Sequence, residues 1–216
     1  SSIYTPKDVI NFIYDIVPNN YFKKPLDPAC GDLRFLKDKG IGFDITEPDN
    51  IPENILFSKT DFLNENLIDW KCFTPSIVLC NPPFNHEKKG KKILLPEEFL
   101  KLIFVRWGDK IPVVLITPCG FRNNQYRHSK RWRWLRVHNS RLTSIISLPL
   151  DIFTPPDEMK KYKETMRKLK REKKYSPKNE KAYKRKHNVI MFPTEILCFN
   201  IPELKPHYWL PEKYII

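Results

Sequence analysis

Glycine is scarce in this chain, with 6 residues in 216 against 20 prolines. A glycine-rich phosphate loop needs several positions free to adopt positive φ, so that device is excluded and any nucleotide contact must come from a sparser pattern. No run approaches the roughly 18 consecutive apolar residues of a membrane-spanning helix. The opening SSIYTP lacks the layout of a secretory leader, and a cytoplasmic location is expected. The five cysteines, Cys30, Cys72, Cys80, Cys119 and Cys198, are odd in number, scattered and mostly set in apolar stretches. They match neither a zinc spacing nor a disulfide framework, so no metal is expected and the thiols read as small buried hydrophobes. Acid is also in short supply, 25 Asp and Glu against 38 Lys and Arg, for a net charge of +13. That balance points to a polyanionic partner, nucleic acid being the natural one.

What is present is an alternation of short apolar runs with amphipathic or polar stretches. KPLDPA, GIGFDI, NILFSK, SIVLC, IPVVLITP, RLTSIISLP and TEILCFN are seven candidate strands, and helical patterns occupy 6–17, 96–107 and 127–137. Strand alternating with helix predicts an α/β protein with a mostly parallel sheet covered on both faces. One stretch interrupts the alternation. Residues 157–188 hold 14 Lys or Arg against 5 Asp or Glu and carry nine of the thirteen excess positive charges. Such a run is either a solvated helix and loop or a phosphate-binding arm projecting from one end of the sheet. Residues 121–136, FRNNQYRHSKRWRWLR, contain Arg122, Arg127, Lys130, Arg131, Arg133 and Arg136 with Tyr126, Trp132 and Trp134 and no acid. Phosphate-seeking charge interleaved with flat rings suits nucleic-acid contact, although an amphipathic helix with buried tryptophans would account for the aromatics.

Chemistry concentrates at the ends of the candidate strands. LDPACGDLRFL ends a strand at Asp27, turns at Gly31 and leads into a predicted helix. GFDI puts Asp44 at the end of the second strand, and TDF puts Asp61 after the third. Carboxylates at those edges suit ribose hydroxyls or an adenine amino group, and each taken alone could equally be a turn former or helix cap. In SIVLCNPPFN a buried strand meets two prolines that forbid both ladder and helix. The chain must turn there, holding Asn81 and Phe84 in a reproducible geometry at the carboxyl edge.

Taken together, IYTP, DPACG, GFD, TDF, NPPF, VVLITP, LPLDIF and TEILCF follow the motif order of amino-methyltransferases that use S-adenosylmethionine. The chain resembles in particular the N6-adenine DNA methyltransferases, and its opening resembles modification subunits of type I restriction systems. The resemblance implies a class I S-adenosylmethionine methyltransferase (Rossmann-like) fold: seven strands, mostly parallel, one antiparallel, with helices on both faces. A single domain over 1–216 is expected, with a basic insertion at 157–188 between the last two strands; members of the resembled family usually add a target recognition domain of a hundred or more residues, and with only about sixteen residues after TEILCFN none is expected here. Specificity would then come from the insertion or from a partner subunit. Tyr4, Thr5 and Pro6 would contact the methionine end of the cofactor, as would Asp27, Pro28, Ala29 and Gly31. Asp44 and Ile45 would take the ribose, and Asp61 and Phe62 the adenine. Thr5, Pro6 and Asp8 also read as a helix start with N-cap, N1 and N3 residues.

Asn81, Pro82, Pro83 and Phe84 would form the catalytic motif. Adenine N6 is a poor nucleophile because its lone pair is delocalised into the ring. Acceptance of its two hydrogens by the Asn81 side-chain oxygen and the Pro82 carbonyl would localise that pair, and Phe84 would stack the extruded base. Phe192 is the candidate for the opposite side of the base. Arg122, Arg127, Lys130, Arg131 and Arg133 would hold nucleic acid, DNA rather than RNA on the strength of the N-terminal match. One departure stands out: Asp32 and Leu33 occupy positions where the family has a small polar residue and a second glycine, which predicts weakened cofactor binding or a reshaped loop. The alternatives are an RNA adenine methyltransferase, a release-factor glutamine methyltransferase, which meets the same lone-pair problem, and an inactive or partner-dependent binding subunit of the same fold.

Overall fold

The computed structural model describes residues 4–64, 73–88, 91–123, 126, 128–187 and 189–214. After helix α1 (Lys7–Ile16) the chain lays down β1 (Pro25–Asp27), β2 (Gly40–Asp44), β3 (Ile55–Lys59) and β4 (Ile77–Cys80). A two-stranded hairpin, β5 (Asn85–Lys88) with β6 (Lys91–Leu94), leads into α2 (Leu95–Trp107), β7 (Val113–Pro118), α3 (Gly120–Asn123), α4 (Lys130–Val137) and β8 (Leu142–Ser147). Helices α5 (Pro156–Arg171) and α6 (Pro177–Lys186) precede β9 (Thr194–Phe199) and β10 (His207–Trp209). The main sheet runs β10-β8-β9-β7-β4-β1-β2-β3, and β9 alone is antiparallel to its neighbours β7 and β8.

The seven candidate strands are all in this sheet, and β10 makes an eighth. It is only three residues long and largely exposed, so it carries no apolar run to read. The central strands are buried on both faces, as their continuous apolar sequences require. Their period of two sends Ile77, Leu79, Val114, Ile116 and Ile196 to one face, against Val9, Ile13 and Phe12 of α1. Val78, Leu115 and Leu197 go to the other, against Leu100 and Ile103 of α2.

Two local expectations give way. Thr5 is not the N-cap of α1: Pro6 holds that position, with its carbonyl accepting from the Ile10 N–H at 3.1 Å, and the Thr5 hydroxyl is used elsewhere. The helix expected after Gly31 does not form. Residues 31–39 are a succession of turns, because Gly31, Leu33 and Lys37 adopt φ of 53°, 65° and 59°, each of which breaks a right-handed helix. Leu33, Phe35 and Leu36 are nonetheless buried, so the segment packs without being helical.

Candidate active site

The carboxyl ends of β1, β2, β4 and β7 share one edge of the sheet, and β9, running the other way, begins there. Open α/β sheets bind ligands at such an edge, and nearly all the motifs converge on it. Asp27 ends β1 with 2% of its surface exposed and accepts a hydrogen bond from the Ala29 N–H at 3.0 Å. Burial pushes its pKa up to about 8. The Ala29 hydrogen bond opposes that shift, and the carboxylates of Asp44 and Asp32 add to it. Pro28 beside it is buried and Ala29 half-buried.

A raised carboxyl pKa means that the folded chain holds the proton more tightly than the unfolded chain. Its contribution to stability is therefore complete below the unfolded value of 3.8 and is lost as the pH rises through about 8. Asp27→Asn, neutral at every pH and able to accept the same hydrogen bond, is expected to gain thermal stability relative to the parent chain as the pH goes from about 5 to about 9. Paired melting curves across that range check it, and a pH-independent difference would contradict the assignment.

Asp44 is fixed by two backbone donors, Gly31 N–H to Oδ2 at 2.9 Å and Thr46 N–H to Oδ1 at 3.0 Å. The first ties the turn after β1 to the end of β2, and each oxygen keeps a second lone pair for a further donor. Tyr4 lies over this turn. A Cβ at Gly31 would fall 2.7 Å from Tyr4 Cε1, and the Arg34 guanidinium sits 5.1 Å from the centre of the Tyr4 ring while paired with Asp32. Ile45 is 70% exposed just beyond Asp44. Asp61 is exposed and forms a turn with the Leu63 N–H at 2.9 Å. Phe62, by contrast, belongs to the core. It is 1% exposed, stacks on Phe99 at 5.4 Å and lies under the Arg106 guanidinium at 4.1 Å.

Leu33, which stands where the resembled methyltransferases have a second glycine, is turned into the core. Its side chain is 2% exposed and packs with Cys30, Leu36 and Ile55. Gly42 makes the room, since a Cβ there would fall 2.7 Å from Leu33 Cδ2.

At the end of β4, the Asn81 Nδ2 donates to Thr5 Oγ1 at 3.0 Å. Thr5 is 3% exposed just before α1, and its hydroxyl sets which way the Asn81 amide faces. Nothing in the sequence couples two residues 76 positions apart; only the shared edge does. Pro82 is buried, Pro83 exposed and Phe84 half-buried. The Phe84 carbonyl accepts from the Leu95 N–H at 3.2 Å, which anchors the turn to α2 across the hairpin β5–β6. That hairpin was not legible in the highly charged sequence. Phe192 meets Phe84 edge to face, with ring centres 5.3 Å apart, and stacks on Phe153 at 6.2 Å.

The cationic candidates divide. Arg122 grips the buried Glu195 with Nε at 3.2 Å and Nη2 at 2.9 Å, and Arg131 pairs with Glu97, which also binds Lys101 at 2.6 Å. Both arginines are therefore engaged within the fold. Lys130, Arg133 and Arg136 are exposed on α4, with Tyr126 and Trp132 exposed nearby in sequence. Trp134 is packed on His138 and Phe104. Arg127 lies outside the described residues. Among the described residues no cluster of metal-ligating side chains occurs, and no helix is long and apolar enough to cross a membrane.

This sheet order, with its single reversed strand β9, is that of the class I S-adenosylmethionine-dependent methyltransferase fold. Comparison with protein-family models and with curated protein sequences finds no match. Solved structures do match. A Listeria monocytogenes protein assigned to the class I S-adenosylmethionine-dependent methyltransferases superposes with a TM-score of 0.56 at 11% identity, over 95% of this chain and 64% of its own. The methyltransferase subunit of a type I restriction-modification system from Streptococcus thermophilus gives 0.58 at 14% identity, over 92% and 45%. The M protein of the type I restriction enzyme EcoKI gives 0.51 at 14% identity, over 91% and 43%. The chain thus spans less than two thirds of each, and these likenesses establish its fold.

Proposed function

We propose that this chain transfers the methyl group of S-adenosylmethionine to N6 of an adenine extruded from DNA. The observation that carries the reading is the placement of Asn81, with its amide oriented by Thr5, at the same edge as the carboxylates of Asp27 and Asp44. The donor set fits the cofactor. Asp27 is a buried carboxyl with no cation beside it among the described residues, and the cofactor's ammonium would supply one. Asp44 is a preoriented carboxylate for a ribose diol, and Asp61 an exposed one for an adenine amino group. Leu33 leaves this region clear by packing under β2.

Bound S-adenosylmethionine would supply an electrophilic methyl carbon, whose bond to sulfur would break as its bond to nitrogen forms, with S-adenosylhomocysteine as the leaving group. The chain's own task is to make N6 nucleophilic. With its NH2 donated to Thr5, the Asn81 amide presents Oδ1 as an acceptor, and the Pro82 carbonyl provides the second. Both acceptors meet the positive charge that grows on N6 as the new N–C bond forms, and they need little reorganisation to do so. The extra proton then passes to water, so no strong base is required. Phe84 offers the stacking face. Since Phe192 touches it edge-on, seating a base there requires Phe192 to turn or withdraw.

The test is incorporation of labelled methyl groups into unmethylated duplex DNA, total RNA and a release factor in parallel, followed by digestion to nucleosides or peptides. Label in N6-methyldeoxyadenosine is expected. Label confined to RNA or to glutamine would refute the DNA assignment.

A further inference from the structure

Helices α5 and α6, absent from the chemistry above, form a unit with its own small core. Met159, Tyr162, Met166 and Val189 are buried together, with Leu169 and Tyr183 against them. Three of the five acids in 157–188 are paired within it. Glu180 accepts from the Tyr162 hydroxyl at 2.6 Å and from Tyr175, and pairs with Lys184 at 2.6 Å. Glu158 pairs with Lys161 at 3.0 Å, and Glu172 with Lys174 at 3.1 Å. The one acid of α6, Glu180, is thereby engaged within the unit, and the outward face carries cations and Ala182.

That outward face is regular. Lys178, Lys181, Ala182, Arg185 and Lys186 stand at helical positions i, i+3, i+4, i+7 and i+8 and line one shallow concavity. All five are exposed, and among the described residues none of the four cations has an acidic partner. The unit is also tied to the active-site edge at its neck. Thr154 Oγ1 donates to the Ile190 carbonyl at 2.8 Å and accepts from the Ile190 N–H at 2.8 Å, closing the segment between two residues 36 apart. Phe153 and Phe192 stack immediately beside that clamp, and Phe192 touches Phe84.

We infer that the Lys178, Lys181, Arg185 and Lys186 face of α6 is a grip for the phosphate backbone of duplex DNA, set outside the base pocket and joined to it through the Thr154–Ile190 neck. The inference deepens the proposed function and rests on it for the polymer. Four unpaired cations along about 12 Å of helix face roughly seven phosphate charges of a duplex, so charge neutralisation needs no base contact. Such a grip is indifferent to sequence. It holds the duplex while the pocket selects the base.

The experiment compares the full chain with a Lys178→Ala, Lys181→Ala, Arg185→Ala, Lys186→Ala variant, measuring affinity for a fluorescent duplex as a function of salt. The slope of log K against log salt is expected to fall in magnitude by about 3 to 4. A second variant, Lys178→Arg, Lys181→Arg, Lys186→Arg, keeps the charge and is expected to retain the parental slope. Circular dichroism and binding of S-adenosylmethionine should match the parent in both. An unchanged slope in the alanine variant, or a loss seen only with single-stranded RNA, would overturn the inference. A parent chain that binds duplex but methylates nothing would defeat the proposed function, while the slope comparison would still decide the role of α6.

Discussion

On the function proposed above, Asn81→Ala is expected to lower the rate of adenine methylation by about 10²- to 10³-fold, the usual cost of removing one preorganised group that meets charge developing in the transition state. The loss should fall on kcat rather than on duplex affinity, because the acceptor matters most when N6 becomes positive. Thr5→Val separates the orienting role from the accepting one. It removes the oxygen at 3.0 Å that receives the Asn81 NH2 and leaves the accepting atom in place. A smaller kcat loss is expected, with nearly unchanged affinity for S-adenosylmethionine by calorimetry. Full activity in Asn81→Ala would remove the mechanism altogether.

Leu33→Gly, which brings the loop closer to the family pattern, is expected to destabilise the chain. Leu33 sits at φ 65°, where a side-chain-bearing residue is strained by about 1 to 2 kcal/mol, and glycine would relieve that strain. The substitution also empties a fully buried site between Cys30, Leu36, Ile55 and Gly42. Truncating a buried leucine costs about 2 to 5 kcal/mol, so burial wins and a net loss of about 1 to 3 kcal/mol follows. Leu33→Ala keeps the strain and loses most of the packing, and should be worse than Leu33→Gly. Urea denaturation of the three chains orders them. Leu33→Gly unfolding at higher urea than the parent would show that strain outweighs packing at this turn.

The strands were readable because each is a short β-branched run bounded by turn formers, and burial on both faces makes such runs continuous. The position of Asn81 and Phe84 just past a strand's carboxyl end was readable because two prolines admit few backbone geometries and the apolar run before them is β4. Phe192, expected to face Phe84 across the base, lies against Phe84 itself. The turn after Gly31 misled for a physical reason. DLRFLKDK has a helical pattern of apolar residues, yet the same residues fill the space under β2 through positive φ at Leu33 and Lys37. Local periodicity cannot distinguish those two ways of burying one set of side chains.

The charges show the same division. Composition and local charge pattern alone required a basic chain and placed most of its excess in residues 157–188. Which cations remain available to a partner was settled by residues distant in sequence. Glu195 on β9 claims Arg122 from 73 positions away, and Glu97 on α2 claims Arg131 from 34. Within the α5–α6 unit Glu180 is engaged by Tyr162 and Lys184, and among the described residues Lys178, Lys181, Arg185 and Lys186 of α6 have no acidic partner. Residue types and strand order are one-dimensional properties, carried by covalent sequence and by local propensity. The pairing of acids with bases, and of Thr5 with Asn81, depends on distances of about 3 Å that exist only once the sheet has brought its strand ends to a common edge.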